Sequence, residues 1–309
     1  MGLAIVIVSY NARDELGACL ESVFDDNGDN DAENDRESEL EVIVVDNAST
    51  DGSAAMVRQR FARATVVESN ENVGFARASN LGWRRAKSAL VMFLNSDTSL
   101  PANALARLVE IMEARPDIGA LGPLLRNTDE SIQISFGRMM SLSAELRQKL
   151  VNAGYREGRG PLRGYVERRH AAQRDVDWVS GACLLTRRDL LERIGGFDEE
   201  FFLYSEDVDL CARLRAEGCR VVFTPDVEIT HHRGRSASKD RHRAFIESHR
   251  SRLHFYRKHY GQPRLGLLKL YLTAKLGLAY VFRPSSRQAS RNLLKLVFRS
   301  PSGTGSDVS

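Results

Sequence analysis

Short, continuously apolar runs alternate with longer mixed segments along the first hundred residues. Residues 3–8 (LAIVIV), 42–45 (VIVV), 65–68 (TVVE) and 90–94 (LVMFL) are separated by stretches of helical length. Apolar runs without polar alternation, spaced as βα units, predict a mainly parallel sheet covered on both faces. Residues 101–114 predict a helix with Pro101 near its start and Pro116 beyond its end. The stretch from Asn127 to Arg174, rich in Gly and Arg, is expected to be looser. WVSGACLLTRRDLLERIGGF (178–197) predicts a strand and then a helix closed by Gly195 and Gly196. Residues 221–232 predict two short strand-like pieces around Pro225. The acidic stretch 25–41 has almost no apolar residue to bury and is expected to be a surface loop.

A chain of 309 residues with 42% hydrophobic and 28% charged residues is long enough for one large α/β domain and an appendage. The net charge of +3 hides an asymmetry, because residues 233–309 hold 17 Lys and Arg against 3 Asp and Glu. That split suggests an acidic body and a basic segment facing an anionic surface. Cys19, Cys183, Cys211 and Cys219 form no CxxC pair, which fits reduced thiols in a cytoplasmic protein. The first apolar run is too short to span a bilayer and has no basic leader, so it reads as a buried strand.

Five polar clusters interrupt this apolar scaffold. Asp46 closes a strand in VIVVDNASTDGS (42–53), where it can accept from a ribose or base, or cap the next turn with Ser49. In NENVGFARASNLG (70–82), Gly74 permits close backbone approach to a ligand, and Asn72 and Arg77 can meet phosphate, unless the segment is a plain loop and helix start. LNSDT places Asn95 and Asp97 just past a strand, where a carboxylate suits Mg²⁺ or Mn²⁺ and a turn is the alternative. GGFDEEFFLYSEDVDL (195–210) crowds acids among aromatic residues, the setting for a raised pKa and general-base work, beyond what capping a helix needs. THHRGRS (230–236) offers His231 or His232 as an imidazole ligand, with His231 closing a strand and Arg233 and Arg235 near enough for phosphate.

Taken together and in this order, IVIVSYN, VVDNASTDGS, NVGFARASNLG, FLNSDT, the VSGAC to AEG segment and the HxxGxS string from His231 to Ser236 resemble glycosyltransferase family 2. The likeness is greatest to its bacterial rhamnosyltransferase-type members and spans roughly residues 3–260. It implies a GT-A fold, a nucleotide-sugar donor, Mg²⁺ or Mn²⁺, and inversion at the anomeric carbon. It places Ser9 and Asp46 at the nucleoside, and Asn72, Gly74 and Asn80 along the diphosphate and sugar. The family's DxD element becomes Asn95, Ser96 and Asp97, so Asp97 is the implied metal ligand, Asn95 a sugar-donor contact and His231 the completion of the metal site. Asp207 is the implied base, with Glu206 supporting it, and Trp178 and Gly181 stand on the acceptor side.

These readings divide the chain into a catalytic domain, residues 1–260, and a basic amphipathic helical extension, residues 261–309. Residues 265–282 are apolar but interrupted by Lys269 and Lys275, which favours an interfacial or packed helix over a span. Arg287, Arg291, Lys295 and Arg299 recur every fourth residue, so an anionic cytoplasmic membrane surface is an expected partner, with the protein peripheral to it, and a solvated helix face is the alternative. The expected function is sugar transfer, rhamnose being the sugar suggested, to a glycan or lipid-linked acceptor in cell-surface polysaccharide synthesis. The alternative is a non-catalytic nucleotide-sugar or glycan-binding module of the same fold. A doubly wound dehydrogenase is excluded because SYNARDE, not GxGxxG, follows the first strand, and no motif or stacking platform points to nucleic acid.

Overall fold

The computed structural model describes residues 2–26, 40–232, 241–282 and 287–298. Most of the acidic stretch, residues 233–236 of the HxxGxS string, and the final eleven residues, Arg299 among them, lie outside them. The strands are β1 (Leu3–Ser9), β2 (Leu40–Asp46), β3 (Ala64–Glu68), β4 (Leu90–Asn95), β5 (Thr98–Ser99), β6 (Ile118–Arg126), β7 (Ile132–Gln133), β8 (Phe136–Gly137), β9 (Arg174–Asp175), β10 (Trp178–Val179), β11 (Cys183–Arg187) and β12 (Arg220–His231). The helices are α1 (Arg13–Asp26), α2 (Ser53–Arg60), α3 (Phe75–Trp83), α4 (Ala104–Ala114), α5 (Leu142–Arg156), α6 (Gly160–His170), α7 (Arg188–Ile194), α8 (Glu206–Ala216), α9 (Arg241–Phe282) and α10 (Arg287–Phe298).

The main sheet runs β3-β2-β1-β4-β11-β6-β12-β5, with β7 added beside β6 and β9 beside β12. The first four strands are parallel, as their unbroken apolar runs predict, while β11 is antiparallel to both β4 and β6. Leu3, Ile5 and Ile7 of β1 join a buried cluster with Leu16 and Leu20 of α1, Met56 and Val57 of α2 and Leu108 and Met112 of α4. Val6 points the other way, onto α3, where a Cβ at Gly82 would lie 2.4 Å from the Val6 side chain. Burying each such Leu or Ile contributes about 1.5–3 kcal/mol, so the sheet sits between two covered faces.

Two expectations are corrected. The expected two pieces in residues 221–232 are one strand, β12: the register against β6 jumps between Thr224 and Glu228, because Pro225 lacks the N–H that a continuous ladder needs. The stretch 127–174 holds two helices, α5, capped by Ser141 Oγ accepting from Ala144 N at 3.1 Å, and α6, with Pro161 in its first turn. These helices lack a clear apolar period because Leu146 and Leu150 are 59% and 62% exposed. The chain divides into two compact units, residues 1–239 and 240–309, and α9 kinks at Gly261 (φ 68°), just before Pro263, where the extension is expected to begin.

In the second unit, α9 and α10 pack together. Leu265, Leu268, Leu272 and Leu276 of α9 are buried, as are Leu293 and Val297 of α10. Arg287 and Arg291 lie over the Tyr280 ring, and Arg291 donates to its hydroxyl at 3.2 Å.

Candidate active site

Register brings the polar strand ends together, because Ser9 pairs with Asp46 and Val8 with Asn95. In an open sheet with parallel strands, ligands bind at this carboxyl edge. Ser9 is fully buried and its Oγ has no hydrogen-bond partner. Asp46 is 3% exposed, and its Oδ1 accepts from Ser49 N at 2.7 Å, so the turn-capping role holds beside any ligand role. The β1–α1 and β2–α2 loops are laced together: Asn11 Oδ1 accepts from Thr50 N at 2.8 Å, and Asp51 Oδ2 accepts from Arg13 N at 2.9 Å. Asn11 and Ala48 sit at positive φ (51° and 64°), which marks backbone held in place by these bonds.

Asn47 did not emerge from the sequence, yet it organises the next loop. Its Oδ1 accepts from Val73 N at 2.9 Å, and its Nδ2 donates to Asn72 Oδ1 at 3.0 Å and to Gly74 O at 3.3 Å. Asn72 Oδ1 also accepts from Gly74 N at 3.1 Å, so this oxygen shapes the loop and only the rest of the amide is left for a ligand. Gly74 has φ 84° and ψ 172°, a region nearly restricted to glycine. A Cβ there would lie 2.4 Å from Phe202 O, so the close approach expected at Gly74 is to the chain's own backbone.

Asn80, expected to contact the sugar donor, is turned inward. Its Oδ1 accepts from Trp83 Nε1 (2.8 Å) and Phe197 N (2.9 Å), and its Nδ2 donates to Phe197 O (2.8 Å) and Glu199 Oε1 (3.0 Å). With every amide valence used and no exposed surface, it ties α3 to the GGFDE loop. Arg77 and Arg84 pair with Glu199 at 3.7 and 3.2 Å, which draws Arg77 to the same loop.

Beyond the β4 edge, the strand pair Thr98↔His231 carries NSDTS onto the end of β12. His231 Nε2 stands 3.1 Å from Asp97 Oδ1 and 3.2 Å from Asn95 Nδ2. His231 Nδ1 is 3.0 Å from Gln133 Nε2 and 3.1 Å from Gln133 Oε1, so the amide can donate to the ring or accept from it. With Oε1 accepting from Nδ1, the Nε2 lone pair is available to a cation beside Asp97. His232 instead meets Ser99 Oγ at 2.9 Å, which resolves the choice between the two histidines in favour of His231 as the imidazole beside Asp97. One carboxylate and one imidazole fit a hard divalent cation that takes its remaining ligands from diphosphate and water. No cluster of three or more His, Cys, Asp or Glu suited to a metal occurs among the described residues.

The acidic pair opens α8 behind two strained residues, Tyr204 (φ 71°) and Ser205 (φ 67°). Each such conformation costs about 1–3 kcal/mol, and together they aim Glu206 and Asp207 at the helix start. Asp207 Oδ2 accepts from Gly181 N at 2.9 Å, and Oδ1 accepts from Val208 N at 2.8 Å. Burial raises both carboxyl groups above the usual range, Glu206 well above it, with the charge of Asp207 adding to the effect on Glu206. Glu206 Oε2 is buried without a partner, whereas backbone N–H groups favour the charged form of Asp207. Of the two, Asp207 is the better stabilised as a carboxylate and Glu206 the more readily protonated.

Gly181, expected on the acceptor side, bonds directly to Asp207, the expected base. Trp178 donates from Nε1 to Arg138 O at 2.9 Å, and its indole packs against Gly137. Asn95 N donates to Ala182 O at 2.9 Å, so the segment that holds Asp207 is bonded to the strand end that meets His231. Asp207 and the Asp97–His231 pair thus stand at the same edge of one sheet, an arrangement that can supply a proton acceptor and a cation site for group transfer from a diphosphate.

Residues 4–195 match the model of glycosyl transferase family 2. The chain belongs to this family. A second model, glycosyl transferase family group 2, matches residues 164–290 of the transferase. The transferase is 30% identical over 274 residues to the N-acetylglucosaminyl-diphospho-decaprenol L-rhamnosyltransferase of Mycobacterium tuberculosis, covering 84% of the chain and 89% of that relative. It is 24% identical over 242 residues to rhamnosyltransferase WbbL of Escherichia coli K12, covering 75% and 85%. Among solved structures it resembles the mannosyltransferase PcManGT of Pyrobaculum calidifontis in complex with GDP-Man and Mn²⁺ (TM-score 0.57, 19% identity, 96% and 84% covered). Residues 1–349 of Staphylococcus aureus TarS are similar in fold (TM-score 0.53, 14% identity, 96% and 80% covered). The fold is GT-A, and the chain is a glycosyltransferase.

Proposed function

We propose that this transferase moves rhamnose from a nucleoside diphosphate sugar to a hydroxyl of a polyprenyl-diphosphate-linked N-acetylglucosamine, with inversion, at the cytoplasmic face of a membrane during cell-surface polysaccharide synthesis. The observation that carries this reading is the joined cluster of Asp207, held by Gly181, and of Asp97 beside His231. The sugar and acceptor come from the Mycobacterium tuberculosis relative, which is matched over nearly its whole length.

Asp207 takes the proton of the acceptor hydroxyl as that oxygen forms a bond to the anomeric carbon. The bond from that carbon to the diphosphate oxygen breaks, and the electron pair leaves with the nucleoside diphosphate. One displacement needs one base and inverts the centre. Asp97 and His231 would hold Mg²⁺ or Mn²⁺, which supplies charge neutralisation for the departing diphosphate. Ser9 and Asp46 stand at the nucleoside side, Asn72 and Asn95 face the diphosphate and sugar, and Asn47 and Gly74 shape the loop between them. Trp178 belongs to the acceptor wall.

Membrane association suits a lipid-linked acceptor, and the second unit has the composition for it. Leu267, Leu270, Leu278, Val281 and Phe282 of α9 are exposed, while Arg287, Arg291 and Lys295 stand exposed on α10. α9 is long and apolar enough to cross a bilayer, but Lys269 and Lys275 and the break at Gly261 favour an interfacial position. Each basic residue near an anionic leaflet contributes about 1 kcal/mol. Binding of the full chain to anionic vesicles that weakens with salt supports this role, and equal binding to neutral vesicles contradicts the electrostatic part.

The test of the site is thermal melting with dTDP-, UDP- and GDP-sugars, with and without Mn²⁺, since a ligand of the native state raises the melting temperature. One nucleotide giving a metal-dependent rise that Asp97→Ala removes supports the reading. A rise without turnover under any acceptor makes the chain a binding module.

A further inference from the structure

Strand pleating sets two chemistries back to back at the edge formed by β6, β7 and β12. Leu125, Gln133 and Ile229 share one face through the pairings Leu125↔Gln133 and Ile229↔Leu125, and His231, two residues on, continues it. That is the face on which Gln133 meets the imidazole. Arg126, Ile132 and Thr230 alternate to the other face. Arg126 and Ile132 there help to line a cavity of 710 Å³ whose walls also come from the β6–β7 turn, α5 and α6.

We propose that this cavity is a saccharide-binding site separate from the transfer centre, taking a neutral pyranose ring of the glycan, a reading that rests on the glycan-directed transfer proposed above. Its volume lies in the range of about 300–1,000 Å³ that small-molecule sites occupy. Charge decides the ligand class. Arg126, Arg156 and Arg163 are balanced by Asp129, Glu130 and Glu167 among the lining residues. Arg126 is already paired with Glu228, and Arg163 with Glu167 at 2.8 Å. A diphosphate would find no surplus positive charge, whereas a neutral polyol finds donors and acceptors of both kinds.

Two further groups fit a sugar. Tyr155 Oη accepts from Ile132 N at 3.0 Å, which fixes the ring against the strand and leaves the phenol proton to donate. Asn152 Oδ1 is buried without a hydrogen-bond partner, so turning it toward a sugar hydroxyl breaks no existing bond. A group ready to reorient without loss favours binding.

The test is titration of the isotope-labelled full chain with methyl glycosides of L-rhamnose and N-acetylglucosamine, and separately with pyrophosphate, read by backbone amide NMR shifts. The expected result is saturable glycoside shifts in residues 126–134 and 152–163, with pyrophosphate moving the amides near Asp97 and His231 instead. Asn152→Leu should weaken the glycoside affinity about tenfold, the loss of one well-made hydrogen bond. Arg156→Ala, at an exposed position, should weaken it as well and guards against misfolding of the first variant. Glycoside shifts confined to the Asp97, His231 and Asp207 cluster, pyrophosphate titrating the cavity, or no glycoside shift at all would overturn the proposal. Glycoside binding in the cavity of a protein that shows no turnover would sink the transfer reading alone.

Discussion

Asp207→Asn separates chemistry from architecture. The substituted amide keeps an oxygen where Asp207 Oδ2 accepts from Gly181 N, while its Nδ2 takes the place of Oδ1 and cannot accept from Val208 N. Losing that bond and exchanging the other, charge-assisted one for a neutral one costs about 2 kcal/mol. Removing a carboxylate from beside buried Glu206 offsets part of that, because burial raises both groups and the charge of Asp207 raises Glu206 further. The melting temperature should therefore stay within about 2–4 °C of wild type, the shift expected from 1 kcal/mol in a unit of this size. The proton acceptor is gone, however, and a general base contributes about 10²–10⁴ in rate, or about 3–5 kcal/mol of barrier. Initial rates of nucleoside diphosphate release should fall by that factor, while sugar-donor affinity by calorimetry stays unchanged. Glu206→Gln is the control: Gln mimics a protonated acid, so this variant should retain activity within about tenfold. Wild-type turnover in Asp207→Asn refutes the assignment, and a greater loss in Glu206→Gln transfers the role to Glu206.

Other consequences are equally concrete. Because burial raises the Asp207 pKa, kcat/KM should rise with pH along an acid limb lying above the usual carboxylate range, and a limb at the ordinary Asp value would remove Asp207 as its source. Gln133→Leu frees His231 to turn, so the divalent-ion affinity measured by Mn²⁺ titration should drop about 10–100-fold with folding intact, and an unchanged affinity would show that Gln133 does not orient the ring. Gly74→Ala forces a Cβ against Phe202 O and should cost more than about 3 kcal/mol in chemical denaturation, which a neutral result would contradict. Burial lowers the His170 pKa from 6.5 to about 4, so stability is fully present above pH 6.5 and falls as pH drops toward 4, by at most about 3 kcal/mol; His170→Phe should flatten that slope in melts.

The parallel half of the sheet was legible because its strands are buried on both faces and therefore read as unbroken apolar runs, as β1 and β4 show. The strand ends were legible for the same reason: Asp46, Asn95 and His231 are polar residues that interrupt such runs. What the sequence concealed depends on partners far along the chain. Nothing local marks Asn80 as saturated by Trp83, Phe197 and Glu199, or Gly74 as making room for Phe202. Asn47 and Gln133 act through neighbours 26 and 98 residues away, so no spacing rule reveals them. The only signal was position, Asn47 directly following the acid that closes β2. α5 and α6 escaped because their surfaces are largely polar and part of their apolar side chains face outward, which blurs the helical period. The bulge at Pro225 was visible as an interruption, but only pairing with β6 shows that the strand resumes beyond it.

The most direct test of the central claim is a balance sheet of one reaction. The purified full chain is incubated with dTDP-rhamnose, and in parallel with UDP- and GDP-sugars, in the presence of Mn²⁺ and a short-chain polyprenyl-diphosphate N-acetylglucosamine. Released nucleoside diphosphate and the glycosylated lipid are measured together, with the anomeric configuration of the product. Acceptor-dependent release matched one-to-one by an inverted glycosidic bond is the predicted result. Release that ignores the acceptor, or a product of retained configuration, would contradict the account.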